Sequence, residues 1–294
     1  MRGSCLKILL TGIHGQVGYE LERSLQGLGQ IIALDRHRMD LANLAQVRDV
    51  IRAVKPDLIV NPAAYTAVDQ AEIEPELAMR INGEAPAVMA EEARRLGAAM
   101  IHYSTDYVFD GTRTTPYLET DPTCPVNMYG ASKLAGEQAI RAAGIAHLIL
   151  RTSWVYGMRG KNFLLTMLRL AQERAQLRIV ADQHGAPTWC RTIADTTARI
   201  VAQSQGSPDA REWWRQRSGT YHLTAQGQTT WFGFTQAILE HAGIAEKPVL
   251  VPIQSHEYPL PARRPSHSVL SSERLMTTFC SLPAWQDSLR LCLT

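Results

Sequence analysis

The sequence predicts an α/β fold in which helices cover both faces of a parallel β-sheet. Five short apolar runs alternate with longer segments of helical periodicity through the first half of the 294-residue chain. That order is typical of parallel strands joined by right-handed crossover helices. The chain is longer than one hydrophobic core usually supports, so we expect a second, smaller α/β lobe after the sheet.

The composition is that of an ordinary globular protein. It is 45% hydrophobic and 20% charged, with a net charge of +2 and no basic run of the kind that binds nucleic acid. No apolar stretch approaches the ~18 residues of a membrane span. Residues 1–4 lack the apolar segment of a signal peptide, and the sequence leaves open whether they are native. We expect neither a nucleic acid nor a membrane as partner.

Cysteine and histidine usage bears on compartment and metals. The five cysteines are scattered without a Cys-x-x-Cys pair, which indicates reduced thiols in a cytoplasmic protein. The nine histidines show no metal-ligand spacing, so we predict no metal site.

The first apolar run, residues 6–11, ends at a glycine-rich turn with Gly12, Gly15 and Gly18. A helical pattern follows directly. Glycines here let backbone amides approach a pyrophosphate at a helix N-terminus, as in Rossmann-type dinucleotide-binding sheets. The spacing is looser than Gly-x-Gly-x-x-Gly, and a tight turn without a ligand stays open on spacing alone.

The second run, residues 31–34, ends at Asp35. A carboxylate at this distance from the glycine turn can bind the adenosine ribose. Arg36 and Arg38 follow and favour a 2′-phosphate instead, so NAD against NADP stays open. Asp40 and Leu41 either flank an adenine or cap a helix.

The third and fourth runs, residues 57–60 and 98–103, end at candidate binding segments. The third precedes the small-residue stretch 61–66, which suits a backbone lying against a cofactor. A long helix is predicted over 75–96, where Asn82 either bonds backbone or faces water. The fourth run delivers Ser104, Thr105 and Asp106 to the edge where ligands bind in parallel sheets.

A loop over 111–127 and a helix over 128–143 come next, and the helix carries Tyr129 and Lys133. Four residues apart on a helix, their side chains leave the same face. A neighbouring ammonium lowers the pKa of a phenol, which suits the phenol to proton transfer near neutral pH. With the Thr105 hydroxyl, these groups are the parts needed to protonate a carbonyl oxygen as a hydride arrives. Alone, Tyr-x-x-x-Lys is a weak pattern.

After the fifth run, residues 146–151, the pattern loosens, and we divide the chain into residues 1–157 and 158–294. The second part is expected to hold mainly the substrate lobe, with some segments returning to the sheet. Residues 205–218 read as an exposed loop with a local patch at Trp213 and Trp214. Arg263 and Arg264 are candidates for binding a diphosphate, although surface arginines beside prolines compete with that interpretation.

Several motifs together resemble the extended short-chain dehydrogenase/reductase superfamily, and within it the dTDP-4-dehydrorhamnose reductase family. The superfamily motifs are the glycine turn, Asn61-x-Ala63-Ala64, the run 104–109 and Tyr129-x-x-x-Lys133. The family-level runs are Thr66-Ala67-Val68-Asp69-x-Ala71-Glu72, residues 151–156, Asp182-Gln183-x-Gly185-Ala186-Pro187-Thr188 and Arg264-Pro265.

The resemblance implies reduction of the C4 ketone of dTDP-4-dehydro-β-L-rhamnose with NADPH, and NADH is also plausible. This is the last step of dTDP-L-rhamnose synthesis, which serves surface glycans such as the lipopolysaccharide O-antigen. It implies Tyr129, Lys133 and Thr105 as catalytic residues and Thr105, Asp106, Trp154 and Arg264 as substrate-binding residues. The implied cofactor-binding residues are Gly12, His14, Gly15, Gln16, Val17, Asp35, Asp40, Leu41, Ala63, Ala64, Tyr65, Tyr129 and Lys133.

One position departs from the family pattern. Some members are joined as dimers by magnesium through glutamates, and Glu20 matches one such position, but Arg191 stands where a second carboxylate is needed. We therefore expect no magnesium bridge and leave the oligomeric state open. Two other functions share the resemblance: a non-catalytic subunit like the β subunit of methionine adenosyltransferase, and a nucleotide-sugar 4-epimerase.

Overall fold

The computed structural model describes residues 5–294, so residues 1–4 lie outside it. Its strands are β1 (Lys7–Leu10), β2 (Gln30–Ala33), β3 (Leu58–Asn61), β4 (Ala99–Thr105), β5 (His147–Thr152), β6 (Val155–Tyr156), β7 (Gln176–Val180), β8 (His184–Gly185), β9 (Thr188–Trp189), β10 (Gly219–His222), β11 (Thr229–Thr230) and β12 (Val249–Ile253).

The α-helices are α1 (Gln16–Ser24), α2 (Leu44–Val54), α3 (Val68–Ala71), α4 (Pro75–Met79), α5 (Ala85–Leu96), α6 (Met128–Ala142), α7 (Phe163–Glu173), α8 (Cys190–Gln205), α9 (Ala210–Gln216), α10 (Trp231–His241), α11 (Glu273–Thr278) and α12 (Trp285–Leu293). Short 3₁₀ turns lie at Asp106–Val108 and Ser255–Glu257, and a π-helical turn lies at Arg80–Glu84.

The predicted doubly wound parallel sheet is confirmed. Six parallel strands lie in the order β10-β5-β4-β3-β1-β2, and separate apolar cores cover the two faces. The order reverses between β1 and β3, since the chain runs outward from β1 to β2 and then returns through β3. Such a reversal opens a crevice at the carboxyl ends of the strands, where ligands of these sheets bind.

The sheet has one strand more than the five predicted for the first half of the chain. The sixth, β10, pairs with β5 in register from Gly219 opposite Leu148 to His222 opposite Arg151. A third apolar cluster lies apart from the sheet and joins α7, β7, α10 and α12; its buried members are Tyr156, Leu164, Met167, Leu177, Ile179, Ala225, Phe234, Ile238, Trp285, Leu289 and Cys292.

The long helix predicted over 75–96 has an irregular centre. A π-helical turn, Arg80–Glu84, separates α4 from α5, and Asn82 in that turn is 1% exposed. Such turns often occur at functional sites because they re-aim a side chain. Asn82 therefore bonds to buried groups and does not face water.

The exposed loop predicted over 205–218 is wrong in part. Residues 210–216 form α9, with Asp209 as N-cap, and Trp213 and Trp214 are 8% and 5% exposed in the core beside the sheet. The two indoles meet edge to face, with ring centroids 5.0 Å apart. The neighbouring arginines in the sequence make this segment look exposed, so the burial of the two indoles could not be predicted from it.

Within residues 5–294, no helix combines the length and the apolar character that a bilayer span requires.

Candidate active site

A cavity of about 640 Å³ lies beyond the carboxyl ends of β1, β3 and β4. All the residues that the sequence predicted for the cofactor line it: Gly12, His14, Gly15, Gln16, Val17, Asp35, Asp40, Leu41, Ala63, Ala64, Tyr65, Tyr129 and Lys133. The fold therefore brings residues that are more than a hundred positions apart in the sequence to one cavity.

The glycine turn is shaped by close backbone contacts. Gly12 has a φ of 61°, and a Cβ on it would lie 2.9 Å from Ala63 Cβ. A Cβ on Gly18 would lie 2.1 Å from the Gly12 carbonyl oxygen. Gly15 caps α1 without a side-chain hydrogen bond, and the first turn of α1 has no acidic residue. Its free amides and the helix dipole favour an anion such as a pyrophosphate.

Asp35 and Arg36, at the end of β2, both line this cavity. Asp35 Oδ1 accepts a hydrogen bond from the Arg38 amide at 3.0 Å, and Asp35 Oδ2 lies 3.5 Å from His14 Nε2. The Arg38 amide, followed by His14 and His37, holds the pKa of Asp35 below its usual value. Arg36 also lines the cavity, with its Nε 3.6 Å from Asp40 Oδ1.

Asn82 fixes the wall segment that contains Tyr65. Its Oδ1 accepts from the Tyr65 amide at 2.8 Å, and its Nδ2 donates to the Tyr65 carbonyl oxygen at 3.0 Å. Nδ2 also donates to Ser132 Oγ on α6 at 3.0 Å. The π-helical turn therefore ties the cofactor wall to the helix that carries Tyr129 and Lys133.

Tyr129 lies in the first turn of α6. Asn127 caps this helix by accepting from the Gly130 amide at 2.8 Å, which fixes the start of the helix. Burial raises the pKa of the Tyr129 phenol to about 12, while the Thr105 side chain opposes that increase. The sequence predicts that Lys133 lowers the pKa of this phenol. In the free protein the pKa is raised instead, because burial of the phenol has the larger effect.

Lys133 lies one turn further along and is 2% exposed. Its Nζ donates to the Tyr103 carbonyl oxygen at 2.6 Å. Burial lowers the pKa of the Lys133 ammonium to about 8, and Glu137 acts in the opposite direction. Lys133 therefore points into the cavity wall and away from bulk solvent.

Thr105 and Asp106 stand at the carboxyl end of β4. Thr105 is 5% exposed, and its Oγ1 donates to Asp106 Oδ1 at 3.1 Å and accepts from the Tyr107 amide at 3.2 Å. Burial raises the pKa of Asp106 to about 6, against hydrogen bonds from Ser268 and Thr105. Neither residue lines the cavity itself, and both act on the pKa of the neighbouring Tyr129 phenol: the Thr105 side chain lowers it and the charge of Asp106 raises it.

Trp154 and Arg264 lie outside the cavity lining. Trp154 has a φ of 48° and stacks on Trp231 with centroids 3.5 Å apart. Arg264 Nη2 donates to Asp69 Oδ2 at 2.8 Å. Arg264 lines a second cavity of about 510 Å³, together with Arg113, Arg263, Asp182, His184 and His267.

The cavity is also lined by residues to which the sequence interpretation gave no role in the site. Ser104 Oγ and Thr152 Oγ1 are buried, line the wall and have no hydrogen-bond partner in the protein. Lys161 reaches the cavity because Asn162 Nδ2 donates to Gln16 Oε1 at 2.8 Å across the glycine turn. Free hydroxyls, helix amides and a cation suit the amide, sugar and phosphate groups of a nicotinamide dinucleotide, so the residues fit that cofactor.

Within residues 5–294, no three His, Cys, Asp or Glu side chains converge as a metal site would require. Arg191, at the position where the family pattern has a carboxylate, lies with its Nε 3.7 Å from Asp195 Oδ2.

Comparison with known proteins gives a consistent result. The family model described as RmlD substrate binding domain matches residues 6–294. A Burkholderia thailandensis protein named dTDP-4-dehydrorhamnose reductase is 51% identical over 295 residues, covering 98% of each chain. An Escherichia coli K12 protein of the same name is 46% identical and covers 96% of this chain and 95% of its own.

A solved structure extends the likeness to the fold. The crystal structure of dTDP-4-dehydrorhamnose reductase from Bacillus anthracis in complex with NADP has a TM-score of 0.89 at 34% identity and covers 98% of both chains. The glycine turn, the Tyr129–Lys133 pair and these full-length matches agree, and the chain belongs to the dTDP-4-dehydrorhamnose reductase family.

Proposed function

We propose that this protein reduces the C4 ketone of dTDP-4-dehydro-β-L-rhamnose to the alcohol of dTDP-β-L-rhamnose, with NADPH as reductant. The observation that carries the proposal is that Tyr129 and Lys133 line a cavity that fits a dinucleotide, with the Thr105 side chain close enough to act on the Tyr129 phenol. The relatives at 51% and 46% identity bear the name of this reductase. NADH is the second reductant to be tested.

Tyr129 is the proposed proton donor. NADPH supplies a hydride when it is bound. A phenol with a pKa of about 12 stays protonated at neutral pH, so it arrives at the ketone as an acid. A C4 alkoxide is a stronger base than this phenoxide, and the proton therefore moves from Tyr129 to the sugar oxygen. Burial prevents water from competing for that proton.

Thr105 and Lys133 support this step in different ways. The Thr105 hydroxyl, which donates to Asp106 Oδ1 in the free protein, is proposed to turn its proton to the sugar oxygen as charge develops on it. Lys133 is proposed to hold the nicotinamide ribose. Its positive charge also stabilises the phenoxide that remains on Tyr129 after proton transfer.

The remaining substrate contacts are proposed between the sheet and the lobe formed mainly by residues 158–294, with Asp106 and Trp154 on the sheet side and Arg264 in the lobe. Asp106 is proposed to bond the sugar hydroxyls, and Trp154 to pack on the sugar ring. Arg264 is proposed to bind the diphosphate, because it lines the second cavity beside Arg263 and Arg113. Residues 1–157 are proposed as the cofactor domain.

The test is the absorbance of the reduced cofactor at about 340 nm with purified protein. NADPH and NADH are supplied side by side, with and without dTDP-4-dehydro-β-L-rhamnose. We expect oxidation only when the ketosugar is present, with one cofactor consumed for each sugar reduced. Product analysis should identify the 4-hydroxy sugar nucleotide.

The same assay separates the two other functions. A 4-epimerase returns its cofactor oxidised and gives no net absorbance change with the ketosugar. A regulatory subunit binds NADPH but consumes none without a partner protein. Either result, obtained with folded protein that binds NADPH, overturns the proposed reductase.

A further inference from the structure

A row of buried polar side chains crosses the apolar sheet beneath the cavity and ends at Lys133. Thr11 follows β1, Asn61 ends β3, and His102 stands opposite Asn61 in the β3–β4 register. Their exposed fractions are 2%, 0% and 0%, and Lys133 is 2% exposed. Buried polar groups are costly unless each one is hydrogen-bonded, so a continuous row of four requires a reason.

The distances connect the row into one chain of hydrogen bonds. The Ala63 amide donates to Thr11 Oγ1 at 3.3 Å, and Thr11 Oγ1 donates to Asn61 Oδ1 at 2.7 Å. Asn61 Nδ2 lies 3.1 Å from His102 Nδ1, and His102 Nε2 lies 3.3 Å from Lys133 Nζ. The row therefore runs from the cofactor wall at Ala63 to the ammonium of Lys133.

The donors and acceptors along this chain of hydrogen bonds determine which ring nitrogen of His102 carries the proton. Asn61 Oδ1 already accepts from Thr11, so the amide presents Nδ2 as a donor to His102 Nδ1. A neutral imidazole then carries its proton on Nε2, facing Lys133. That proton needs a lone pair on Lys133 Nζ, and only the neutral amine has one. This arrangement matches the uncharged form of Lys133.

A second arrangement matches the charged form. If the Asn61 amide turns by 180°, its nitrogen donates to Thr11 Oγ1 and its oxygen accepts from His102 Nδ1. The imidazole proton then resides on Nδ1, and Nε2 accepts from the Lys133 ammonium. The amide oxygen and nitrogen exchange places while the other heavy atoms stay where they are, and each neighbouring pair from Thr11 to Lys133 still shares one hydrogen bond, with Thr11 Oγ1 now the acceptor.

We propose that His102 is a positioning residue for Lys133, and that its imidazole changes tautomer, with the Asn61 amide turning, whenever Lys133 gains or loses its proton. The pair holds Lys133 Nζ at the same point of the cavity wall in both charge states. The proposal rests on the role proposed for Lys133 in the reductase. Burying this polar row in the core costs free energy, and the benefit is that Lys133 keeps its position in both charge states.

The other charged groups around Lys133 belong to three elements. Glu137 and Tyr129 lie one turn away on α6, and Glu137 is tied to Arg151 of β5, whose Nη2 donates to Glu137 Oε2 at 2.7 Å. His102 on β4 is the partner from the sheet. Burial, followed by the charge of Lys133, holds the pKa of His102 well below its ordinary value. The imidazole therefore stays neutral while Lys133 titrates.

The direct test uses the wild-type protein without cofactor. Nitrogen-15 NMR of labelled histidine reads which ring nitrogen carries the proton, and carbon-13 NMR of labelled lysine reads each of the five lysines, Lys7, Lys55, Lys133, Lys161 and Lys247. We expect the His102 proton to move from Nδ1 to Nε2 over the pH range in which Lys133 loses its own. A His102 tautomer that stays constant through the Lys133 titration overturns the proposal.

Variants give a second, independent readout. His102→Leu removes the acceptor for the ammonium, so the pKa of Lys133 should fall by about 1 pH unit, which is tenfold in the ionisation constant. The alkaline limb of kcat should move by the same amount. His102→Gln, whose amide reaches the position of Nε2, should restore most of both shifts.

His147→Leu is the matched control, since His147 is also a buried histidine, at the start of β5 opposite Met100, and its Nδ1 lies 2.8 Å from the Ile145 carbonyl oxygen instead of reaching Lys133. It should leave the Lys133 titration unchanged. If His102→Leu folds and the Lys133 titration stays at the wild-type pH, the positioning role is wrong. Both NMR readouts are independent of turnover, so they still judge this proposal if the reductase assay fails.

Discussion

The side chain of Asn82 clamps the backbone of Tyr65 from both sides, with an accepted hydrogen bond of 2.8 Å and a donated one of 3.0 Å. Asn82 stands in the π-helical turn, and its Nδ2 also bonds Ser132 on the catalytic helix. The clamp therefore sets the distance between the cofactor wall and α6. The π-helical turn therefore has a function at the site: it directs the Asn82 side chain between Tyr65 and Ser132.

Asn82→Ala should loosen that wall. Loss of three buried hydrogen bonds should lower the free energy of unfolding by about 2–4 kcal/mol and weaken NADPH binding about tenfold. Urea denaturation and cofactor fluorescence measure the two effects. Asn43→Ala, which removes an exposed N-cap on α2, is the control and should cost stability alone. Unchanged NADPH affinity in Asn82→Ala would contradict the clamp.

Arg36 should favour NADPH over NADH. It lines the cavity beside Asp35, and its guanidinium is mostly exposed, so it is free to meet a 2′-phosphate. Arg36→Ala should raise the KM for NADPH about tenfold and leave the KM for NADH nearly constant. Arg38→Ala is the control, because Arg38 lies outside the cavity lining and bonds the Ala33 carbonyl oxygen. Equal effects of Arg36→Ala on both cofactors would remove this role.

Lys133→Met should stabilise the protein while it impairs catalysis. The pKa of Lys133 is lowered by burial from 10.5 to about 8, so the native state is penalised for holding the ammonium at neutral pH. The penalty is fully present below about pH 8 and disappears as the pH rises to about 10.5. At pH 7 the variant should gain at most about 3 kcal/mol.

Urea denaturation of both proteins at pH 7 and pH 10 checks the sign. The gain should shrink between these two values because the wild-type lysine becomes neutral while the unfolded lysine is still charged. Taking the difference between variant and wild type cancels the other groups that titrate at high pH. A constant gain across the range would mean that charge burial is not its cause.

Much of the site was predictable because ligand-binding residues of a parallel sheet lie just after the carboxyl ends of its strands. The glycine turn, Asp35, and the Tyr129–Lys133 spacing each follow from local sequence, and the structure gathers them around one cavity. The strands and most helices begin and end within a few residues of the expected positions, since their apolar periods are regular.

Other features depend on long-range contacts that local patterns do not carry. Lys161 reaches the cavity through a bond between Asn162 and Gln16, residues 146 positions apart. His102 resembles any core histidine until Lys133 and Asn61 are placed beside it. The burial of Trp213 is not visible in the sequence because α9 has only seven residues, three of them charged, and is too short to show an apolar period.

The expected effect of Lys133 on Tyr129 failed for a related reason. Spacing on a helix predicts proximity, but the pKa of the phenol depends on how completely the folded protein removes water. Burial raises that pKa to about 12, which suits a proton donor better than a base. The direction of the proposed reaction, reduction with protonation of the sugar oxygen, agrees with this environment.

The most direct measurement is single-turnover reduction of dTDP-4-dehydro-β-L-rhamnose by NADPH-loaded Tyr129→Phe. Tyr107→Phe is the control, because Tyr107 is a neighbouring phenol whose ring meets that of Tyr129 edge to face at 5.7 Å. We expect the Tyr129→Phe rate to fall by about 10²–10⁴-fold with unchanged NADPH affinity, and the control to reduce the sugar near the wild-type rate. Reduction by Tyr129→Phe at the full wild-type rate would contradict Tyr129 as the proton donor.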